Sequence, residues 1–280
     1  MTTPHDPRQN HLLDALSAAE YARLLPHLEP APLMLEDVLY KSGDRLSYVY
    51  FPTTCIVSLL YIMENGASTE IAMVGNEGII GVGLFMGGET MPNQAVVLNP
   101  GNAYRLRGRL LMQELERSET RGDGTLRHLL LRYTQALFTQ IAQTAVCNRH
   151  HSVDQQLCRW LLLSLDRLPS NELAVTQELI GNMLGVRREG VTEAARKLQK
   201  AGLIDYHRGH ITVLDRQALQ TRACECYQVV KTEFDRLVPS PARLPVSMTL
   251  LIRAARSRVT REAARPPRAS EEAGRETRDV

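Results

Sequence analysis

The stretch TQELIGNMLGVRREGVTEAARKL, residues 176–198, decides how the rest of the chain is read. Thr176 is a natural N-cap, because its hydroxyl can accept from an otherwise orphaned helix N–H. Ile180 and Leu184 then lie four apart on one helix face. Gly181 is small where a second helix must cross closely. Gly185 sits where a turn of three or four residues needs positive φ. Val186, Val191, Ala194 and Leu198 supply the apolar face of a second helix. The pattern is a helix–turn–helix. Its second helix turns Arg187, Arg188, Glu189, Thr192, Glu193, Arg196 and Lys197 outward. Arg188 can make paired hydrogen bonds to guanine, and Glu189 can accept from cytosine N4. Arg187 and the helix N-terminus can hold phosphate. Gly190, inside that helix, costs about 1 kcal/mol relative to Ala, and the sequence offers no reason for it.

Directly downstream, residues 201–213 read as a two-stranded hairpin with its turn at Arg208-Gly209, that is, a wing. His207, Arg208 and His210 lie at its tip, within reach of phosphates. Helix–turn–helix and wing together form one DNA-docking unit.

Working toward the N-terminus, residues 153–168 read as a helix stopped by Pro169. A long helix is expected over residues 125–150, where Leu126, Leu130, Tyr133, Leu137, Ile141, Thr144 and Asn148 recur every three or four residues. That heptad-like stripe is expected to be a dimer seam. A second apolar face (Leu129, Phe138, Ala145) leaves one side for the chain's own sheet. A short helix over residues 109–118 ends at Arg121-Gly122-Asp123-Gly124. Residues 33–108 carry short β-rich runs separated by turn signals, among them Asn65-Gly66, a strong hairpin signal. Many short strands at this spacing mean an antiparallel sandwich or barrel. Residues 11–28 read as one helix, ended by Pro26, Pro30 and Pro32, with a capping-box pattern at Ser17-Ala18-Ala19-Glu20.

Composition excludes several classes. With 280 residues, 44% hydrophobic and 23% charged, the chain can bury a core. No run of 18 apolar residues exists, so no transmembrane helix is expected. The polar first ten residues carry no secretory pattern, which points to the cytoplasm. Net charge is only +2, so a nucleic-acid surface must be local. From residue 238 onward nine Arg face five acids, and this tail reads as disordered and basic. The five cysteines, Cys55, Cys147, Cys158, Cys224 and Cys226, are odd in number and scattered. Cys224-Glu225-Cys226 is not a CxxC pair, so no metal and no cofactor are expected. No nucleophile–base–orienter arrangement is present, so the chain reads as a non-enzyme.

Residues 12–237 resemble the Crp/Fnr family of bacterial transcription regulators. The most specific piece is Val175-Thr176, Ile180-Gly181 and the run from Gly185 through Arg187, Arg188 and Glu189 to Thr192. It is similar to the family's threonine-opened first helix and Arg-Glu base-reading pair. The resemblance implies an α+β fold: an N-terminal antiparallel β-roll of jelly-roll type, a long dimerisation helix and a C-terminal winged helix–turn–helix. The corresponding limits are 11–122, 123–150 and 151–237, followed by the tail, 238–280. The DNA-binding set is Thr176, Gln177, Arg187, Arg188, Glu189, Thr192, Glu193, His207 and Arg208. Glu193 departs from the family, which often has a basic reader there. The seam set is Leu126, Leu130, Tyr133, Leu137 and Ile141. Implied partners are double-stranded DNA, a second copy of the chain and RNA polymerase, with no membrane.

Gly81, Val82 and Gly83, with Asn93 and Gln94, resemble the cassette that cradles a cyclic-nucleotide phosphate. The binding version needs a Glu for the ribose and an Arg-Ser or Arg-Thr pair for the phosphate. Val82 and Asn93-Gln94 stand near those places, so the effector pocket reads as degenerate. Arg105, Arg107 and Arg109 are the nearest substitute cations. The alternative is a sensing regulator whose roll does bind a small effector. No cysteine precedes Cys55, so Fnr-like iron–sulfur sensing is not supported.

Overall fold

A computed structural model of the chain describes residues 6–121, 125–168 and 170–238; of residues 118–121 it gives the backbone alone. The tail expected from residue 238 onward lies outside the described residues beyond Val238 itself.

The N-terminal part is two packed antiparallel sheets. One has the order β1 (Glu29–Leu33), β7 (Gly101–Arg107), β3 (Tyr48–Pro52). The other has the order β2 (Val38–Tyr40), β6 (Gln94–Asn99), β4 (Ile56–Ile62), β5 (Ser68–Val74). Val49, Phe51, Ile56, Val57, Val97 and Leu106 are buried between them. The Asn65-Gly66 turn joins β4 to β5, with Gly66 at φ 82°.

Two sequence expectations fail here. Residues 11–28 are not one helix but α1 (His11–Asp14) and α2 (Ala18–Leu24), split because Ser17 caps α2 with a complete capping box. Pro30 and Pro32 do not follow a helix into a loop. They lie in β1, which pairs only with β7. An edge strand tolerates proline because one side of it needs no N–H donors.

Helix α3 (Gly108–Arg121) leads to α4 (Thr125–His150). The expected seam is corrected by the structure. Leu126, Leu130, Tyr133 and Leu137 are buried within the protomer, and Ile141 is half-buried against the same core. They meet β5, α3 and α9 (Glu225–Leu237); Tyr133, for example, stands edge-on to Phe234 with ring centroids 6.3 Å apart. The stripe facing solvent is Leu131, Phe138, Ala142, Ala145 and Val146, with Gln135 and Arg149 on the same face. Two apolar faces shared one helix, and periodicity alone could not say which one the chain's own sheet would take. Leu129, placed by sequence with the second face, is buried.

The C-terminal part follows as α5 (Val153–Leu165), β8 (Glu172–Ala174), α6 (Gln177–Leu184), α7 (Arg188–Lys200), β9 (Ile204–His207), β10 (His210–Val213), α8 (Arg216–Arg222) and α9. β8 pairs with β10 and turns the expected two-stranded wing into a three-stranded sheet. This part packs firmly on the roll. Glu70 of β5 is buried and accepts from Ser58 Oγ at 2.5 Å and from Trp160 Nε1 of α5 at 3.0 Å. Arg167 Nε donates to Glu77 at 2.7 Å, and its Nη2 donates to Gln140 of α4 at 2.8 Å.

Candidate nucleic-acid interface and effector cassette

Helix α6 begins where the sequence says it should. Thr176 accepts from the Leu179 N–H at 3.1 Å, and Gly185 ends the helix at φ 66°. A Cβ on Gly181 would lie 3.0 Å from the Val186 carbonyl, so a larger residue would press on the backbone of the tight turn into α7. A Cβ on Gly190 would make only ordinary contact with Val153; nothing in the structure requires glycine there.

Helix α7 buries Val191, Ala194, Ala195 and Leu198. Arg187, Arg188, Glu189, Thr192, Glu193, Arg196 and Lys197 are exposed. The first turn thus offers two guanidinium groups and a carboxylate at a helix N-terminus. Two expected readers have partners within the protein. Thr192 Oγ1 donates to Gln177 Oε1 at 2.6 Å, which braces α7 against α6. Glu193 lies 3.1 Å from Lys197, which also reaches Asp154 at 3.3 Å.

The wing turn has positive φ at both central residues, 50° at Arg208 and 81° at Gly209. That is a two-residue hairpin of the primed type, where Asn-Gly is the cheap choice. An Arg there carries a strained backbone on the order of 1–2 kcal/mol and puts a cation at the wing tip. The Gly209 carbonyl accepts from the Val175 N–H at 2.7 Å, and Tyr206 Oη donates to the Val175 carbonyl at 3.0 Å. These bonds lock the wing to the start of α6. Between them opens a cleft of about 420 Å³, lined by Thr176, Gln177, Arg188, Tyr206 and Arg208. His207 is exposed and lies 3.2 Å from Asp205.

In the roll, Gly81 takes φ 96° and opens a single 3-10 turn at Val82–Leu84. A Cβ on Gly83 would lie 2.9 Å from the Thr90 carbonyl. Val82 and Asn93 are buried. Asn93 Nδ2 donates to Tyr40 Oη at 3.1 Å, and burial pushes the Tyr40 pKa up to about 12. Gln94 is half-buried at the start of β6. Arg105 is held outside the roll: its Nε and Nη2 each donate to Glu29 at 2.8 Å, and it stacks on Tyr48. Arg107 shares Glu29, and Arg109 is exposed.

The sequence reading missed one cluster. Cys147, His151, Cys224 and Cys226 come together at the end of α4 and the start of α9. Only the four-residue spacing of Cys147 and His151 hinted at it.

The model of the Crp-like helix-turn-helix domain matches residues 155–222, and that of the cyclic nucleotide-binding domain matches residues 33–118. The fold is that of several solved regulators. One is a transcriptional regulator of the Crp/Fnr family from Eubacterium rectale (TM-score 0.59, 16% identity, 77% of this chain and 98% of that one). Another is the c-di-GMP responsive global regulator CLP from Xanthomonas campestris (0.55, 16%, 71% and 100%). A third is FixK2 from Bradyrhizobium japonicum (0.54, 16%, 70% and 98%). No curated protein sequence matches the chain. With a cyclic nucleotide-binding type domain followed by a Crp-type helix–turn–helix, the chain belongs to the Crp/Fnr family of transcription regulators. Among the described residues no helix is long and apolar enough to cross a membrane.

Proposed function

We propose that the chain is a cytoplasmic, homodimeric, sequence-specific DNA-binding regulator that acts by binding rather than by catalysis. In this reading residues 11–122 carry the sensor-like roll, 123–150 the dimer helix and 151–237 the DNA-binding unit. The observation that carries it is the exposed Arg187-Arg188-Glu189 turn of α7 beside the cleft closed by Arg208. Arg188 and Glu189 read base edges in the major groove. Arg187, Thr176, His207 and Arg208 hold phosphates, and the Thr192–Gln177 bond sets the angle of α7. Glu193 is a further reader, of cytosine, once it leaves Lys197. Two copies meet along Leu131, Phe138, Ala142 and Ala145 and present two α7 helices to a two-fold site. RNA polymerase is the downstream partner. Selection of bound sequences from a random DNA pool tests this: enrichment of one two-fold motif supports it, and recovery of the input pool refutes it.

The roll, in this proposal, does not take cyclic AMP or cyclic GMP. A buried phosphate needs a paired cation, whereas Asn93 is committed to Tyr40 and Arg105 to Glu29 outside the roll. Calorimetry with both nucleotides checks it. Micromolar binding coupled to tighter DNA binding would establish the alternative, a nucleotide-sensing roll.

A further inference from the structure

Cys147, Cys224 and Cys226 are buried and pack on one another as a cluster separate from the main hydrophobic core. A free buried cysteine ordinarily packs as a small hydrophobe; these three turn their sulfurs on one another and on an imidazole. Cys147 Sγ lies 3.5 Å from Cys224 Sγ, and Cys226 Sγ lies 3.6 Å from His151 Nδ1. The four donor atoms all fall within 4.8 Å of one another. A tetrahedral zinc ion with Zn–S bonds of about 2.3 Å spaces its sulfurs roughly 3.8 Å apart, so the cluster has the size of one ion. An iron–sulfur cluster spreads its thiolates farther.

Two surrounding groups fit the same occupant. With Nδ1 facing the sulfurs, His151 Nε2 lies 3.4 Å from the Glu225 carboxylate. That is the carboxylate–histidine arrangement that orients a metal-bound imidazole. Arg159 is also buried, within electrostatic reach of Cys147 and Cys226 as well as of the Glu70 carboxyl. Among the described residues its only hydrogen-bond partner is Thr144 Oγ1, at 3.2 Å, and its Nε has none. Three thiolates on a divalent ion leave one negative charge, and a buried guanidinium is its natural counter-charge.

We propose that Cys147, His151, Cys224 and Cys226 bind a single zinc ion. On binding, the three thiols release their protons to solvent and the imidazole binds neutral. The ion joins the last turn of α4 to the first turn of α9, across the corner where the chain passes from the long helix into the DNA-binding unit. It thereby fixes the hinge from which α5 to α7 are carried.

The full chain, purified without chelator, should contain one zinc per protomer by mass spectrometry of its metals. Expression in cobalt-supplemented minimal medium should give the near-ultraviolet thiolate-to-cobalt absorption and the strong visible bands of a tetrahedral site. Cys226→Ser and His151→Ala should lose the ion or hold it at least about tenfold more weakly. His151→Cys should retain it, and Cys158→Ser, outside the cluster, should leave metal content unchanged. If Cys226→Ser does not fold, the cobalt spectrum of the unaltered chain decides alone. Metal-free protein with titratable thiols, a Cys147–Cys224 disulfide, or equal metal content in Cys226→Ser would each overturn the proposal.

Discussion

Helices α4 and α7 are both amphipathic, yet their exposed faces differ in kind. α7 buries a narrow strip of Val191, Ala194 and Leu198 and shows solvent a face of charges. α4 buries one apolar face and exposes a second, with Phe138 71% and Leu131 58% accessible. A charged face is at equilibrium with water and waits for a charged partner. A contiguous apolar face is not, and is expected to be covered by another apolar surface. The difference separates the two halves of the proposed action: α7 reads DNA, and α4 pairs two copies so that both α7 helices engage at once.

The largest effect should come from the exposed face of α4. Leu131→Glu with Phe138→Glu leaves the fold intact and gives monomers in light scattering. DNA affinity should fall about 100-fold or more, the range lost when two linked binding events become one. A variant still dimeric would place the seam elsewhere. The buried face should respond in the opposite way. Leu137→Ala should lower unfolding free energy by about 2–5 kcal/mol in a urea titration, while the folded fraction stays dimeric.

On α7, Arg188→Ala should cost about 1–3 kcal/mol on the selected site and little on random DNA. Arg208→Ala should weaken both about equally and flatten the salt dependence by one phosphate contact. Gel shifts over a salt series separate the two. Equal losses for Arg188→Ala would make it a phosphate ligand.

The smallest effect concerns Glu70, where the C-terminal part docks on the roll. Burial raises the Glu70 pKa, against the opposing pull of the Ser58 hydrogen bond, the Arg159 charge and the Trp160 hydrogen bond. The folded protein therefore binds this proton more tightly than the unfolded chain does. Stability falls as pH rises from the unfolded value, about 4.3, through the raised folded value. Glu70→Gln should flatten that fall in urea titrations across the window. An unchanged slope would mean that the Glu70 carboxylate is ionised throughout.

The same contrast explains what could be read in advance. The helix–turn–helix was legible residue by residue because its signals are local: the Thr176 cap, the Gly185 turn and the spacing of Ile180, Leu184, Val191 and Leu198. The wing turn at Arg208-Gly209 is equally local, since a two-residue hairpin needs positive φ where it stands. The strands of the roll announced themselves through alternation and Asn65-Gly66, except β1, whose two prolines argued against a strand until an edge position made them harmless.

Sequence alone thus determined most of the element types, though not β1, β8 or the break between α1 and α2, together with the order of roll, long helix and winged unit and the charged face of α7. Each of these follows from contacts within a few residues. Tertiary structure alone decided which apolar face of α4 turned inward, because both faces satisfy the same periodicity and it is packing on β5, α3 and α9 that selects between them. It also decided that Arg105 points away from the cassette, since a strand's two faces are equivalent until a sheet packs on one. And it brought Cys147 to Cys224 across 77 positions of chain, a meeting set by the packing of α9 on α4 and by no spacing along the sequence.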